Sequence, residues 1–154
     1  MAKLNFNDID ELKEYKGKLL EYSDWHLVSQ EEINMFADAT GDHQWIHVDI
    51  EKAKKESPYG GTIAHGYYTI SLAPVLIAQI FDLKKKKMGI NYGLNKLRFP
   101  APVPVGKRIR LKAKLKDLKE IKEKVYQVEF LLTFEVEDQE KPACVAEVIY
   151  RYYV

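Results

Sequence analysis

The chain has 154 residues, of which 46% are hydrophobic, enough to bury a single core in one domain spanning residues 1–154. Its 24 lysine and arginine residues and 23 acidic residues leave a formal net charge of +1, which excludes a strong attraction to nucleic acid. Cys144 is the only cysteine, so an intrachain disulfide is excluded. Together with an N-terminus that lacks a signal segment, this predicts a cytoplasmic protein. The most apolar segment, 70–81, is shorter than the roughly 20 residues that cross a bilayer, so no membrane partner is expected.

The first elements in chain order are a short helix and a strand. Between residues 8 and 18, charged residues alternate with apolar ones at helical spacing, and Gly17 indicates where the helix stops. Between residues 19 and 28, aromatic and aliphatic residues interleave with polar ones, which predicts a strand leading into the next element.

Start and stop signals of a helix flank the next segment. Ser29 and Glu32 have the spacing of a capping box, in which the serine accepts a first-turn amide hydrogen and the glutamate reaches back. Gly41 supplies the left-handed residue that ends many helices. The sequence therefore predicts a helix from Gln30 to Thr40, with Asp42 just beyond its end.

A short polar helix and a long apolar helix follow. Asp49 is the expected N-cap of a helix over residues 50–56, and the proline and two glycines of residues 57–61 end it. From Thr62 to Phe81 apolar residues occur on every side, which is typical of a central helix surrounded by protein. Pro74 cannot donate a backbone hydrogen bond, so a kink is expected near it.

The second half of the chain changes to a period of two. Apolar residues alternate there with charged ones, which is typical of half-buried antiparallel strands. The predicted long strands are 89–99, 108–116, 125–137 and 143–153. Polar stretches at 119–124 and 137–142 are predicted hairpin turns. We therefore expect an α+β fold, in which an antiparallel meander of about four long strands wraps around one long apolar helix.

The densest polar cluster lies between Thr40 and Asp49. Asp42 and His47 are five residues apart in a predicted irregular turn, so the carboxylate and the imidazole can converge on one water molecule. Addition of water to a conjugated carbonyl compound needs a group that activates the water and a group that handles the proton at the α-carbon. It also needs donors for the enolate-like oxygen. The pair suggests this chemistry without being diagnostic.

A second cluster, Gly60 to Gly66, lies at the start of the apolar helix. Backbone amides at a helix start are unpaired and lie at the positive end of the helix dipole, so they can bind charge that develops on a thioester oxygen. Gly66 is the expected donor, because it has no side chain to keep an acyl group away from its N–H. Taken alone, the segment is explained at least as well as a glycine-shaped turn.

The order of these motifs resembles that of the MaoC-like and NodN-like dehydratases, relatives of the (R)-specific enoyl-CoA hydratases. Three segments carry the resemblance, which covers most of the chain: Ala-Thr-Gly-Asp-His-Gln-Trp-Ile-His-Val-Asp at 39–49, Gly-Thr-Ile-Ala-His-Gly at 61–66, and residues 90–106. The resemblance implies that Asp42 and His47 activate the water and that the Gly66 amide binds the thioester oxygen. It also implies a hot-dog fold and a homodimer, or an assembly of dimers, with the sheets joined edge to edge.

The activity implied by the resemblance is hydration of a trans-2-enoyl thioester such as an acyl-CoA, or the reverse dehydration, with (R) specificity. Coenzyme A enters only as part of the substrate, and no separate cofactor is expected. The family's Asn-Pro pair is replaced by Gln44 and Trp45, which we assign to substrate binding, with the tryptophan narrowing the acyl pocket. A serine that some (R)-hydratases use corresponds to Pro74.

Two other functions are compatible with the same fold. A hot-dog thioesterase would use a carboxylate to release the thiol from an acyl-CoA. A module that binds acyl thioesters without turnover is the other alternative, and the substitution at Trp45 is the feature that favours it. Retention of both Asp42 and His47 argues against these two alternatives.

The remaining histidines and a lysine run have simpler interpretations. His65, assigned to the oxyanion and substrate site, is expected to hydrogen-bond within the turn that positions Gly66. His43 is expected to be exposed or to shape the site, and His26 to be structural or solvated. A metal site is the competing use of Asp42, His43, His47 and His65, and none is predicted, because the hydration mechanism requires no metal. Lys84 to Lys87 are predicted to form a solvated loop rather than a coenzyme A phosphate site.

Overall fold

Eight strands and six helices form the chain, and the computed structural model describes all residues from 1 to 154. The strands are β1 Leu4–Phe6, β2 Leu19–Tyr22, β3 His26–Leu27, β4 Phe81–Leu83, β5 Met88–Arg98, β6 Arg108–Lys122, β7 Val125–Val136 and β8 Cys144–Tyr153. The helices are α1 Ile9–Lys13, α2 Gln30–Thr40, α3 Trp45–Val48, α4 Ile50–Glu56, α5 Gly66–Ser71 and α6 Ala73–Ile80. None of these helices is long and apolar enough to span a membrane.

The main sheet is antiparallel, and its strands follow the order β2-β6-β7-β8-β5, with β3 also paired to β6. The predicted α+β fold and its four long strands are confirmed, but the prediction of a simple meander is wrong. Strand β5 pairs with β8 at the far edge of the sheet and not with β6, which follows it in sequence. The connection at 99–107 contains three prolines, which cannot donate to a ladder. It crosses instead beside residues 62–64, where the Ala64 N–H donates to the carbonyl of Val103 over 2.9 Å.

Alternation along the central strands builds the core. In β7 every second residue from Val128 to Val136 is buried, and β6 shows the same pattern from Ile109 to Leu115. These side chains pack with α6, where Leu76 and Ile80 are completely buried, in one cluster of buried apolar residues. Each such side chain contributes roughly 1.5–3 kcal/mol by burial, so the core fixes α6 against the sheet.

The predicted continuous helix from Thr62 to Phe81 is wrong in two respects. Residues before Gly66 are extended, and the helical part is divided at Leu72 into α5 and α6. Pro74 lies in the first turn of α6, where the missing N–H costs no intrahelical hydrogen bond. The expected kink therefore takes the form of a complete break.

Other element boundaries were predicted more closely. Helices α2 and α4 have their predicted limits, with Ser29 and Asp49 as side-chain caps and Gly41 in the left-handed region at φ 81°. Helix α1 is shorter than expected and ends at Lys13. Strand β6 extends to Lys122, which moves the hairpin turn towards Lys124, whose φ is 58°. Two predicted details are confirmed in β8 and after β4. Cys144 is buried, which raises the pKa of its thiol to about 12, and the lysine run forms a loop.

Candidate active site

The turn after α2 and the short helix α3 hold the predicted acid/base pair. Gly41 ends α2, and its left-handed backbone directs the chain into the turn that contains Asp42. His47 follows on α3. The two side chains differ in environment, because His47 is 8% exposed as a residue whereas the carboxylate side chain of Asp42 is 54% exposed.

A backbone carbonyl fixes the tautomer of His47. Its Nδ1 lies 2.8 Å from the carbonyl oxygen of Ile63, and because a carbonyl can only accept, Nδ1 carries the hydrogen. The other ring nitrogen, Nε2, then holds a lone pair when the ring is neutral. In this tautomer His47 can accept a proton from a water molecule through Nε2.

A second buried imidazole, His65, connects the two parts of the site. Its ring stacks on His47 with 3.9 Å between the centroids, and its Nε2 lies 3.0 Å from the backbone oxygen of Asp42. The predicted hydrogen bond of His65 is thus present, but its acceptor is in the Asp42 turn and not in the turn of Gly66. Burial lowers the pKa of His65, which keeps the ring neutral at neutral pH.

Asp42, His47 and His65 converge in space although they are separated in sequence. One ligand-type atom from each lies within 4.8 Å of the others, so these three side chains are the group that could hold a metal ion. The His65 Nε2 hydrogen already donates to the Asp42 carbonyl. A metal held by this nitrogen would have to displace that hydrogen bond.

Gly66 begins α5, where its N–H has no intrahelical acceptor. Gly66 and His47 line the same cavity of about 310 Å³, together with Tyr59, Ile63, Ala64, Thr69, Phe99, Pro100, Ala101, Pro102, Val103 and Ala143. The Phe99 ring covers the Gly66 α-carbon so closely that an added Cβ would lie 3.1 Å from three ring atoms. A glycine is therefore needed here to combine a free amide with this close approach.

Gln44 and Trp45 lie outside that cavity. Trp45 is half-buried on α3, and its ring faces the ammonium group of Lys52, which lies 4.8 Å from the ring centroid. Gln44 is exposed, and its backbone N–H is 3.4 Å from a carboxylate oxygen of Asp42. Their assignment to substrate binding stays a prediction, and Gln44 contributes a backbone contact that orients Asp42.

His43 and the lysine run have the surface contacts expected of solvated groups. The exposed His43 ring lies 2.8 Å from the Asp38 carboxylate, and this hydrogen bond raises the pKa of His43. All four lysines of the run have intrachain partners: Asn7 for Lys84, Asp8 for Lys85, the Tyr152 ring for Lys86 and the carbonyl of Val154 for Lys87. These contacts favour the solvated-loop interpretation.

A polar network near the site joins Glu32, which the capping box had assigned to the helix start, to Tyr68 and to His26, which has the structural role expected for it. Ser29 accepts a hydrogen bond from the Glu32 N–H over 3.2 Å, as the capping box predicts. The Glu32 carboxylate does not reach back, however, because it binds the Tyr68 hydroxyl and the His26 ring. Burial alone would raise the pKa of Glu32, but hydrogen bonds from Tyr68 and His26 outweigh it and lower that pKa. The network ties α2 to α5, and nothing in the local spacing indicates it.

The chain is similar to known proteins in sequence and in fold. A family model described as the MaoC like domain matches residues 12–136. The 3-hydroxyacyl-thioester dehydratase Z of Mycobacterium tuberculosis is 50% identical over 147 residues, covering 96% of this chain and 97% of that protein. Nodulation protein N of Rhizobium meliloti is 38% identical over 150 residues, covering 97% and 91%. The solved structure of an (R)-hydratase from A. caviae involved in PHA biosynthesis has a TM-score of 0.66 at 21% identity, covering 86% and 95%.

The antiparallel sheet packed on α5 and α6 is a hot-dog fold. Within that class, the matched domain and the identity to the two relatives above define the family more closely. The chain belongs to the MaoC-like dehydratases.

Proposed function

We propose that residues 1–154 form a single-domain (R)-specific hydratase or dehydratase, which adds or removes water at a trans-2-enoyl thioester such as an acyl-CoA. The observation that carries the proposal is that His47, the proposed base, and Gly66, the proposed oxyanion donor, line the same cavity. Asp42 lies next to both histidines. The dehydratase and (R)-hydratase names of the relatives support the same reaction class.

The reaction follows from the tautomer of His47 and the free amide of Gly66. In the hydration direction, His47 Nε2 accepts one proton of a water molecule while the water oxygen bonds to the β-carbon. Negative charge moves to the thioester oxygen, where the Gly66 N–H stabilises it. His47 then gives this proton to the α-carbon on the same face. The Asp42 carboxylate, the other member of the acid/base pair, accepts a hydrogen bond from the second hydrogen of the water and so guides both the attack and the proton's return. The elements of one water molecule are thereby added in a syn sense.

We also propose that this chemistry requires no metal and no separate cofactor. An imidazole, a carboxylate and a backbone amide supply every proton transfer and the oxyanion contact. Dialysis against a chelator should leave the hydration rate within twofold of the untreated enzyme. Loss of the rate on chelation and its return with a divalent ion would overturn this part of the proposal, since Asp42, His47 and His65 could then be ligands.

A homodimer through β5 completes the proposal. All residues of this edge strand except Leu97 are exposed, and Met88, Ile90, Tyr92 and Leu94 are exposed apolar side chains. A long unpaired edge of this kind is a template for pairing with a second copy. Sedimentation should give a dimer that Leu94→Glu shifts towards the monomer, whereas Met35→Glu, at an exposed apolar residue of α2, should leave it intact. A monomeric wild type would contradict the dimer. The cytoplasmic location stays a prediction.

The direct test of the reaction follows the enoyl-thioester absorbance when the purified protein is mixed with crotonyl-CoA and longer trans-2-enoyl-CoAs. Loss of absorbance with formation of the (R)-3-hydroxyacyl product is expected. A thiol reagent in the same assay monitors coenzyme A release. Steady thiol release in place of hydration would identify a thioesterase, and binding without either reaction would identify a non-catalytic module.

A further inference from the structure

We propose that Gln30 is a positioning residue for His47. Its side-chain amide binds both the His47 carbonyl and the Thr62 hydroxyl, and Thr62 precedes the residue whose carbonyl binds the histidine ring. We call this pair of hydrogen bonds the clamp. The inference rests on the proposed function of His47 as the base. Gln30 lies outside the motifs that carry the chemistry, at the first position of α2 and 17 residues before His47. Its role is visible only in the folded contacts.

The Gln30 amide makes three hydrogen bonds. Its Nε2 donates to the backbone oxygen of His47 over 2.7 Å and to the Asn34 side-chain oxygen over 2.9 Å. Its Oε1 accepts from the hydroxyl of Thr62 over 2.7 Å. The two Nε2 hydrogens and one lone pair of Oε1 are therefore all used.

These partners determine the orientation of the amide. A reversed amide would direct Oε1 at the carbonyl oxygen of His47, which can only accept, and the pair would repel. A glutamate at this position would have the same defect. Only the observed orientation lets one side chain join the His47 carbonyl to the Thr62 hydroxyl.

The clamp closes a ring of contacts around His47. Thr62 is adjacent to Ile63, whose carbonyl accepts from His47 Nδ1 over 2.8 Å and whose N–H donates to the carbonyl of Ile46 over 3.1 Å. Gln30 thus fixes the backbone of His47 relative to the residue that selects its ring tautomer. The His47 carbonyl is at the end of α3, where it has no intrahelical donor, so Gln30 also satisfies a group that would otherwise lack a partner.

Loss of the clamp should affect turnover more than substrate affinity. The ring of His47 and the Gly66 amide must converge on the same reacting atoms, and a displacement of about 1 Å can cost roughly a hundredfold in rate. The acyl-binding walls of the cavity, by contrast, do not include Gln30. If Gln30 only anchored α2 and had no influence on His47, its replacement would lower stability without lowering kcat.

The experiment compares Gln30→Leu with Asn34→Ala. Gln30→Leu removes all three bonds at similar volume and should lower kcat about tenfold to a hundredfold with KM within about threefold. Asn34→Ala removes only the exposed bond, at a residue that does not line the cavity, so its kcat should equal that of the wild type. Thr62→Val should reproduce part of the fall in kcat seen in Gln30→Leu. Thr62→Ser, which keeps the hydroxyl that binds Gln30, should have the kcat of the wild type. Equal kcat in Gln30→Leu, Thr62→Val and Asn34→Ala, with all three folded, would overturn the proposal.

A readout that does not depend on turnover separates this inference from the proposed function. In ¹⁵N-labelled protein above the titration range of the ring, wild-type His47 should give the nitrogen shifts of the single Nδ1–H tautomer. Gln30→Leu should give a mixture of tautomers, and Asn34→Ala should keep the single form. An unchanged tautomer in Gln30→Leu would contradict the clamp. A mixture in a protein whose wild type does not hydrate enoyl thioesters would contradict the proposed reaction and leave the clamp intact.

Discussion

The central strands and the segment 41–66 fold by different means. In β6 and β7 the buried residues are apolar and alternate with outward polar ones, so position in the sheet follows from a period of two. In the segment 41–66 the buried residues include His47, Thr62 and His65, and single hydrogen bonds from distant residues fix them. The strands therefore contribute most to the folding stability of the protein, whereas the hydrogen bonds of the segment 41–66 set the positions of the candidate site residues.

This difference has a consequence for mutations. Removal of an apolar side chain from the strands should cost stability and leave the chemistry of the folded molecules unchanged. Removal of a polar contact in 41–66 should lower the catalytic rate more than the stability. A hydrogen bond contributes only about 1 kcal/mol net to the free energy of unfolding, whereas a small displacement of a reacting group lowers the rate strongly.

The largest expected effect on stability is at Phe130, which is fully buried on β7 against Phe81, Tyr150 and Tyr152. Phe130→Ala should lower the free energy of unfolding by about 3–5 kcal/mol, since it leaves a cavity. Chemical denaturation measures this value, and kcat per folded molecule should be unchanged. Leu131→Ala, at a half-buried position on the opposite face, is the matched control and should lose less. Equal losses of unfolding free energy in the two variants would contradict the assignment of Phe130 to the buried face of β7 and Leu131 to its outer face.

Gly66 is the last residue of the segment 41–66, and its substitution should sharpen the contrast with the strands. A Cβ there would lie 3.1 Å from the Phe99 ring and next to the free amide. Gly66→Ala should therefore lower kcat/KM tenfold or more, equivalent to about 1.4 kcal/mol, with little change in unfolding. Gly61→Ala is the control, because an added Cβ meets nothing within 4 Å and the backbone there is not left-handed. A Gly66→Ala enzyme as active as Gly61→Ala would exclude Gly66 as the oxyanion donor.

Tyr68 tests the network beneath the site. Tyr68→Phe removes the hydroxyl that binds Glu32 while keeping the ring against Phe36. The expected loss is about 1.5 kcal/mol of unfolding free energy, the lower end for a hydrogen bond to a charged group. The pKa of Glu32 should rise, because one of the hydrogen bonds that lower it is gone. Urea titration and carboxylate NMR shifts measure the two quantities. An unaltered Glu32 pKa would show that the Tyr68 hydroxyl does not bind the carboxylate in solution.

The smallest expected effect is a pH dependence at His65. Burial lowers its pKa below the ordinary value of 6.5, so the unfolded chain binds this proton more readily than the folded one. The stability present above pH 6.5 is therefore lost as pH falls from 6.5 through the folded pKa. His65→Gln should flatten the decline of the unfolding temperature below pH 6.5. His43→Gln should not flatten it, because the pKa of His43 is raised and its contribution has the opposite sign.

The same division explains how much could be predicted from the sequence. Helices α2 and α4 were predicted with their exact limits, because Ser29, Gly41 and Asp49 are local signals. The long strands were predicted from alternation. The order of the strands was not, because the choice of β8 as the partner of β5 depends on the path of residues 99–107 across the molecule.

For the candidate site, too, the sequence indicates residues in local motifs but not contacts between distant residues. Asp42, His47 and Gly66 could be proposed because they belong to short motifs, and the structure brings His47 and Gly66 to one cavity. Gln30 carries no such signal, since its partners His47 and Thr62 are 17 and 32 residues away. The acceptor of His65 was misassigned because a contact with its own turn was the simplest local choice, whereas the fold supplies the carbonyl of Asp42.

The measurement that tests the central claim most directly is the hydration rate of trans-2-enoyl-CoA for the wild type, Asp42→Asn, His47→Ala and Asp38→Asn. Asp38 is an exposed carboxylate on α2 that binds only His43, so it controls for the loss of a nearby negative charge. Asp42→Asn and His47→Ala should each lose at least about a hundredfold in kcat, the scale expected for an acid/base group, while Asp38→Asn stays within twofold. Comparable rates in all four folded proteins would contradict an acid/base role for Asp42 and His47.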